Sequence, residues 1–375
     1  MRFVLVGPVY PYRGGIAHYT TLLHQALGAS GHEVLLVSFR RQYPRWLFPG
    51  ASDRDPSRRP LNAAGACFWL DSLNPFTWLT TFFRMRRYHP QVLVLQWWTS
   101  FWAPVWFTLA LLNRLWLRAP LVFLCHNVLP HDAHPWERWL ARLTLGRGGR
   151  FIVQSEQERQ RLCEILPQAA VDVVPHPVYA MFAGQRIDQA EARQRLNLPE
   201  QAPVLLFFGI VRPYKGLADL VEALPMVRET APDIRLVVAG EFWEDKATYL
   251  ARLRQLQLDD IVQIDDRYIP NEEVGLYFSA VDALVAPYRV QTGSGVTELA
   301  RGFGLPVITL APGLAAHDRG ERPDMMHSGD SRPAMLAAAI LTFLDQRDDQ
   351  PAPSAQVDET LSWYKIVAAL EGAAG

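Results

Sequence analysis

Residues 207–225 read FFGIVRPYKGLADLVEALP. The apolar run predicts a strand, the following residues a turn carrying Arg212 and Lys215, and the stretch from about Ala218 a helix. A helix N-terminus presents unbonded N–H groups and positive potential, and two cations at its mouth add to both. The unit therefore suits a phosphate or diphosphate. One Arg and one Lys on a turn are also compatible with a solvated surface, so the meaning of the unit depends on its surroundings.

Working outward, apolar strand-like runs alternate with helical patterns in both halves. The first half gives RFVLVG, a helix from His18 to about Ser30, then HEVLLVSF, QVLVLQ, LVFLCHN and RFIVQS. The second gives PVLLFFG, the helix above, IRLVVAG, IVQIDD, ALVAPY and PVITL. Continuous apolar strands separated by helices are the pattern of a parallel sheet covered on both faces, with ligands bound beyond the carboxyl ends of the strands. The expected fold class is α/β, with two facing, doubly wound Rossmann-like domains and a cleft between them. DQAEARQRLNLPEQAP marks the boundary near residues 180–202. The expected division is 1–180, 181–358 and a C-terminal helix 359–375 that packs back on the first domain.

A chain of 375 residues with 49% hydrophobic side chains can build two cores, which excludes a disordered class. The three cysteines, Cys67, Cys125 and Cys163, show neither CxxC spacing nor a nearby His pair, so no disulfide framework or structural zinc site is expected. MRFVLVGPVYPY lacks the features of a signal peptide, and the expected compartment is the cytoplasm. The net charge of −1 conceals an asymmetry. Residues 1–180 hold 19 Arg and 10 acidic residues, while the remainder holds 18 basic and 28 acidic ones. A cationic half points to an anionic partner, either a membrane surface or a charged substrate. A coding preference for Arg, with 34 Arg against 3 Lys, would explain the excess but less readily its placement.

Five ordered landmarks carry a resemblance. They are GPVYPYRGGIAHYT at 7–20, HNVLPHD at 126–132, FIVQSEQERQRL at 151–162, the Arg212/Lys215 turn, and YFSAVDALVAPYRVQTGSGVTELARGFGLPVI at 277–308. In these the chain resembles the retaining nucleotide-sugar glycosyltransferases of the GT-B type, the large group 1 family that includes sucrose synthase and bacterial mannosyltransferases. The resemblance implies a nucleoside-diphosphate-sugar donor, a saccharide acceptor, retention of configuration and no cofactor.

Residue by residue, Gly14 and Gly15 free the first strand-to-helix turn for close approach of a ligand, and the resemblance places them beneath the donor diphosphate and sugar. A plain tight turn is the alternative. His126 follows LVFLC and so ends a strand, where the resemblance implies a place beside the donor sugar. A structural hydrogen-bonding role is the alternative. His131 and Asp132 are candidate acceptor contacts or helix caps. TGSG at 292–295 opens a helix, and the N–H groups of Ser294, Gly295 and Val296 are expected to grip phosphate opposite Arg212 and Lys215.

The same segment departs from the family, which has two glutamates separated by seven residues. Those positions hold Gln291 and Leu299 here, and Glu298 lies one residue before the second. Either Glu298 reads the ribose from a shifted loop or other groups do. Holding the leaving diphosphate with N–H groups, Arg and Lys requires no protein nucleophile and suits a metal-independent reaction, and no Asp-x-Asp element that would argue for a bound divalent ion is expected.

The acceptor side is read from QWWTSFWAPVWFTLALLNRLWLR, residues 96–118, with five tryptophans and Arg114 and Arg118 at its end. Trp97 and Trp98 are candidate acceptor contacts. Interrupted by Pro104, the stretch is expected either as a buried helix or as an aromatic membrane-interface element, with Trp102 and Trp106 meeting lipid. RMRRYHP and the arginines from Arg40 to Arg59 support peripheral contact with an anionic membrane and a lipid-linked saccharide acceptor in surface-polysaccharide assembly, at the inner face of the cell membrane. No nucleic-acid partner is expected. The alternatives are a nucleotide-sugar epimerase of the same architecture and a catalytically silent binding paralogue. A dinucleotide oxidoreductase is disfavoured because GPVYPYRGG lacks G-x-G-x-x-G.

Overall fold

The computed structural model describes residues 1–129, 134–289, 294–310, 331–347 and 359–374. The chain divides into two compact units, with the break between Pro177 and Val178. The first unit contains β1 (Arg2–Val6), α1 (Gly15–Ala29), β2 (Glu33–Arg41), β3 (Cys67–Asp71), α2 (Pro75–Arg87), β4 (Val92–Trp97), α3 (Ala103–Leu112), β5 (Leu121–Cys125), α4 (Pro135–Leu145), β6 (Arg150–Val153), α5 (Glu156–Ile165) and β7 (Val171–Val173). The second contains α6 (Gln189–Arg195), β8 (Val204–Phe208), α7 (Leu217–Thr230), β9 (Arg235–Ala239), α8 (Lys246–Gln255), β10 (Val262–Asp265), α9 (Asn271–Ala280), β11 (Ala283–Val285), α10 (Gly295–Gly302), β12 (Val307–Ile308) and α11 (Arg332–Gln346). The last helix, α12 (Glu359–Glu371), returns to the first unit and packs on α1.

Both sheets are parallel and share one winding. The first is ordered β3-β2-β1-β4-β5-β6-β7 and the second β10-β9-β8-β11-β12. In each, the first strand of the unit lies at the point where the winding reverses, which is where such sheets hold ligands. Val4 of β1 is in register with Leu35 on one side and Leu93 on the other. Every residue of β4 and β5 is buried, which requires apolar side chains on both faces and explains why these strands read as unbroken apolar runs. Burying each such Leu, Val or Phe stabilises the fold by roughly 1.5–3 kcal/mol.

Two strands of the first sheet have no such run. β3 pairs with β2 through an irregular register, and β7 has three half-buried residues. Both are edge strands, with one neighbour and partial cover, so their sequences need not be apolar throughout. The first helix starts at Gly15, three residues before the expected His18, because the turn into it is made by Gly14 at φ 104°.

The tryptophan-rich stretch separates by burial. Trp97, Trp102 and Trp106 are almost completely buried, and the Trp102 and Trp106 rings stack with centroids 5.5 Å apart. Phe39 of β2 lies 4.3 Å from the Trp102 ring. A spacing of four residues puts Trp102 and Trp106 on one side of the helical run, and that side meets the sheet. The expectation that these two residues meet lipid is therefore corrected: they are core. Trp97 is also core, with its indole N–H donating to the Val128 carbonyl at 3.0 Å, so it offers no surface to an acceptor. Trp98 is half-buried and donates to the Tyr43 hydroxyl at 2.8 Å.

Replacing Trp106 with Ala leaves a large cavity and is expected to cost about 3–5 kcal/mol in chemical denaturation. Trp116→Ala, at a half-exposed position of the same stretch, should change stability by no more than about 1 kcal/mol. Equal effects would contradict this division of the stretch.

Candidate functional site

The second unit gathers most of the expected phosphate-binding residues at the carboxyl end of β8. After Phe208 the chain turns at Gly209 (φ 90°), runs extended through Arg212, and makes a 3-10 turn over Pro213–Lys215 before Gly216. Gly216 has φ 73°, and a Cβ there would lie 2.2 Å from the Pro287 carbonyl oxygen, so only glycine fits. This close approach joins the start of α7 to the segment after β11.

Lys215 is 8% exposed, and its ammonium lies 3.0 Å from the place a Cβ on Gly209 would take. Among the described residues it has no ion-pair partner. Burial, and then the neighbouring Arg212 charge, bring its pKa down from the ordinary lysine value to about 7. Arg212 lies over the Trp243 ring, 4.1 Å from the centroid, and Trp243 is turned by its indole N–H to the Glu241 carboxylate at 3.0 Å. Stacking on an aromatic face holds a guanidinium in place.

α10 meets this turn. Val296 Cγ2 lies 3.4 Å from the same Gly209 Cβ position. The Tyr288 hydroxyl is 3.2 Å from Ser294 Oγ, and its ring centroid is 5.8 Å from the Lys215 ammonium. Ser294 caps α10 by accepting from the Thr297 N–H, while the N–H groups of Gly295 and Val296 donate to no acceptor among the described residues. Lys215, Tyr288 and the start of α10 thus converge on one place. An ionic clamp fixes the intervening segment. Asp219 in the first turn of α7 accepts from Arg289 at 2.8 and 3.0 Å and from Arg332 at 3.0 Å, and Arg332 also donates to the Pro287 and Tyr288 carbonyls. Burial alone would raise the Asp219 carboxyl, but the hydrogen bonds from Arg289 and Arg332 outweigh it and hold the pKa below its usual value.

Glu298 is 5% exposed, and its carboxylate accepts from Arg301 at 2.7 Å, one turn further on. Burial raises its pKa. Leu299 is a buried apolar residue, while Gln291 lies outside the described residues.

The first unit holds a separate polar set at the carboxyl ends of its strands. His126 follows β5. Its Nε2 lies 2.7 Å from Gln96 Oε1, and Gln154 Nε2 lies 3.3 Å from its Nδ1. Gln96 in turn donates to Thr20 Oγ at 2.8 Å. With the Gln96 amide nitrogen so committed, its oxygen accepts from His126, which places the imidazole proton on Nε2. Gly7 allows this crossing, since a Cβ there would sit 2.2 Å from Gln96 Nε2. Tyr19 of α1 sets its ring edge-on to His126 and to His176. Burial, then the neighbouring His176, lowers the His126 pKa to about 3, and burial lowers that of His176 to about 4. Val128 is pinned beyond by Glu158, which accepts its N–H at 2.6 Å, and by Trp97. Above Gly14 and Gly15 the space is open, with nothing within 4 Å of either Cβ position. His131 and Asp132 lie outside the described residues.

An Asp-x-Asp spacing does occur once, at Asp53–Arg54–Asp55, and is used locally. Asp53 pairs with Arg54 at 3.6 Å and accepts the Arg13 N–H through its carbonyl, while the Asp55 carboxylate accepts the Ser57 N–H at 2.8 Å. No group of three His, Cys, Asp or Glu side chains able to hold a metal occurs among the described residues. Gln96, Gln154, Asp219, Trp243 and Tyr288 were not anticipated. The two glutamines had a usable signal, since each is a polar residue ending an apolar strand run.

Two family descriptions match the chain: Glycosyl transferase 4-like domain over residues 14–177, and Glycosyl transferases group 1 over residues 202–346. The chain belongs to the group 1 glycosyltransferases. Among curated relatives of this family member, the lipopolysaccharide 1,2-N-acetylglucosaminetransferase of Salmonella typhimurium is 29% identical over 147 residues, 38% of each chain. A D-inositol 3-phosphate glycosyltransferase of Catenulispora acidiphila is 27% identical over 249 residues, 60% of this chain and 59% of that one. The matches thus span from about two fifths to three fifths of these relatives' length. In fold, HepE of Anabaena, solved with UDP and with UDP-glucose, has a TM-score of 0.71 at 16% identity, covering 99% of this chain and 100% of its own. Sucrose-phosphate synthase of Thermosynechococcus elongatus has 0.64 at 18%, covering 100% and 96%. These likenesses establish the two-domain GT-B fold of this glycosyltransferase family member.

The imidazoles have a consequence for stability. In the unfolded chain His126 and His176 bind protons near pH 6.5, and in the fold only near pH 3–4, so the unfolded state gains protons as pH falls through this window and stability drops. Replacing His126 with Gln should reduce the proton uptake on unfolding at pH 5 by about one, measured as the pH slope of denaturation free energy. An unchanged slope would show that His126 is protonated in the fold.

Proposed function

We propose that the chain transfers a sugar from a nucleoside-diphosphate donor to a saccharide acceptor, with retention of configuration and without a bound metal. The observation that carries this reading is the buried Lys215, without an ion-pair partner among the described residues, beside the stacked Arg212 and next to the N–H groups that open α10. In sugar transfer the bond from the anomeric carbon to the diphosphate oxygen breaks, and negative charge grows on the departing group. Fixed cations and N–H groups stabilise that charge more than the ground state, which is what lowers a barrier. In this scheme Lys215, Arg212, Ser294, Gly295 and Val296 hold the diphosphate, while Gly14 and Gly15 of the first unit keep the turn into α1 open to a ligand. His126, neutral and held by two glutamines, serves as a fixed polar contact to the donor sugar rather than as a proton carrier. Glu298 or a group near Gln291 reads the ribose or the sugar.

Family membership supports the reaction class, and the solved complexes of HepE with UDP and UDP-glucose support a nucleotide-sugar donor. The name of the Salmonella relative, a lipopolysaccharide glycosyltransferase, supports a lipid-linked acceptor in surface-polysaccharide assembly. Binding without turnover is the second reading. One observation favours it: the second family glutamate position holds the buried Leu299, while the Glu298 carboxylate is already engaged by Arg301. Screening a panel of nucleotide sugars for thermal stabilisation, and then for nucleoside-diphosphate release with acceptor, separates the two. Stabilisation without release supports the second reading, and no stabilisation by any donor contradicts both.

The lysine gives a sharper expectation. With a pKa near 7 in the free protein, Lys215 is partly neutral at pH 7 and above, and a bound diphosphate raises its pKa. Nucleoside-diphosphate binding should therefore take up protons between pH 7 and 9 and weaken as pH rises. Calorimetry in buffers of different ionisation enthalpy reads this directly. Lys215→Arg, always charged, should abolish the proton uptake, and Lys215→Ala should lose about 1.5–3 kcal/mol of binding. Unchanged affinity in Lys215→Ala would remove the residue from the site.

A further inference from the structure

The outer side of α2 carries an apolar stripe that no described residue covers. Thr81, Phe82 and Met85 turn inward and are buried. Phe76, Leu79 and Phe83, spaced by three and four residues, turn outward and are 78%, 40% and 43% exposed. The stripe is extended by the five residues after α3. Asn113–Leu117 widen into a π-helical turn that sets Leu115 and Trp116 outside, each about half exposed. This turn is built rather than frayed: the Asn113 side chain donates to the Ala119 carbonyl and accepts the Ala119 N–H, and Arg118 closes it at φ 57°. Trp116 stacks on Phe83 with ring centroids 5.5 Å apart and planes 27° from parallel, making one continuous aromatic surface.

The charge carried by the segment that forms this surface is of one sign. Between Asp71 and Asp132 the sequence contains five arginines, Arg84, Arg86, Arg87, Arg114 and Arg118, and no acidic residue. All five are exposed, and none forms an ion pair among the described residues.

We propose that α2 and the Asn113–Leu117 turn form a docking surface for an anionic lipid bilayer. An apolar helix stripe flanked by a Trp and by arginines is the composition of an element that lies in the headgroup region, its rings at the acyl boundary and its cations at the phosphates. Attachment is peripheral, because no helix among the described residues is long and apolar enough to cross a membrane. A second copy of the chain fits less well. A two-fold contact through this patch sets five arginines against five with no carboxylate of the segment between them. The residues differ from Trp102 and Trp106, and the surface is independent of the sugar-transfer reading, since it is tested without donor or acceptor.

The test is co-sedimentation of the full chain with vesicles of phosphatidylcholine alone and with about one third phosphatidylglycerol, at low and high salt. The wild type should partition at least tenfold more strongly onto the anionic vesicles, with partition weakened but not abolished by salt. Phe83→Ser with Trp116→Ser, and separately Arg86→Glu with Arg87→Glu, should each reduce it about tenfold with the melting temperature unchanged. The charge pair keeps the test open should the apolar pair fail to fold. Absence of wild-type binding, equal binding to neutral vesicles, or variants that bind like the wild type would overturn the proposal. So would a concentration-dependent dimer in sedimentation velocity that the apolar variant dissolves without change in vesicle binding.

Discussion

Burying an ammonium group with no carboxylate beside it costs several kcal/mol, and a fold tolerates that only where something else is gained. Among the described residues Lys215 is such a group, and the local architecture of the second unit is arranged around it. Gly209 leaves space for its ammonium, Gly216 brings the start of α7 against Pro287, and the Arg212 charge beside it makes the position more costly still. A side chain that could have reached solvent is held inward instead, where two charges of one sign share a turn. An anion with more than one charge relieves both penalties at once. A diphosphate meets that requirement, and the N–H groups at the start of α10 match its remaining oxygens.

The clamp of Asp219 with Arg289 and Arg332 explains how the arrangement persists in the free protein. It ties α7, the segment after β11 and the start of α11 together, so Tyr288 stays between Lys215 and Ser294. Preorganisation of this kind lowers the ordering cost when a ligand arrives. The polar line in the first unit follows the same logic with neutral groups. Thr20, Gln96, His126 and Gln154 come from α1 and three strand ends, and each fixes the next, so the imidazole is oriented without being charged.

Much of this was legible in the sequence, for identifiable reasons. Central strands such as VLVLQ in β4 and LVFLC in β5 are buried on both faces, so their burial is written directly as apolar runs. The edge strands β3 and β7 are half-covered and leave no such trace. The Arg212/Lys215 turn announced itself by charge between a strand and a helix. Its supports did not: Asp219 and Trp243 look like any helix acid or loop aromatic until the fold brings them to Arg289, Arg332 and Arg212. Tryptophan content was a poor guide, because a count cannot tell the sheet-facing pair Trp102 and Trp106 from Trp116, which a five-residue turn places outside.

The chain contains only three lysines, Lys215, Lys246 and Lys365. Selective carbon labelling at the lysine ε position therefore yields three resonances that can be followed by pH titration. One resonance, lost in Lys215→Arg, should titrate near pH 7 in the free protein and move well above that value when a nucleoside diphosphate is bound. Three resonances all titrating at the ordinary lysine value, unchanged by the nucleotide, would contradict the claim that Lys215 is a buried cation awaiting its anion.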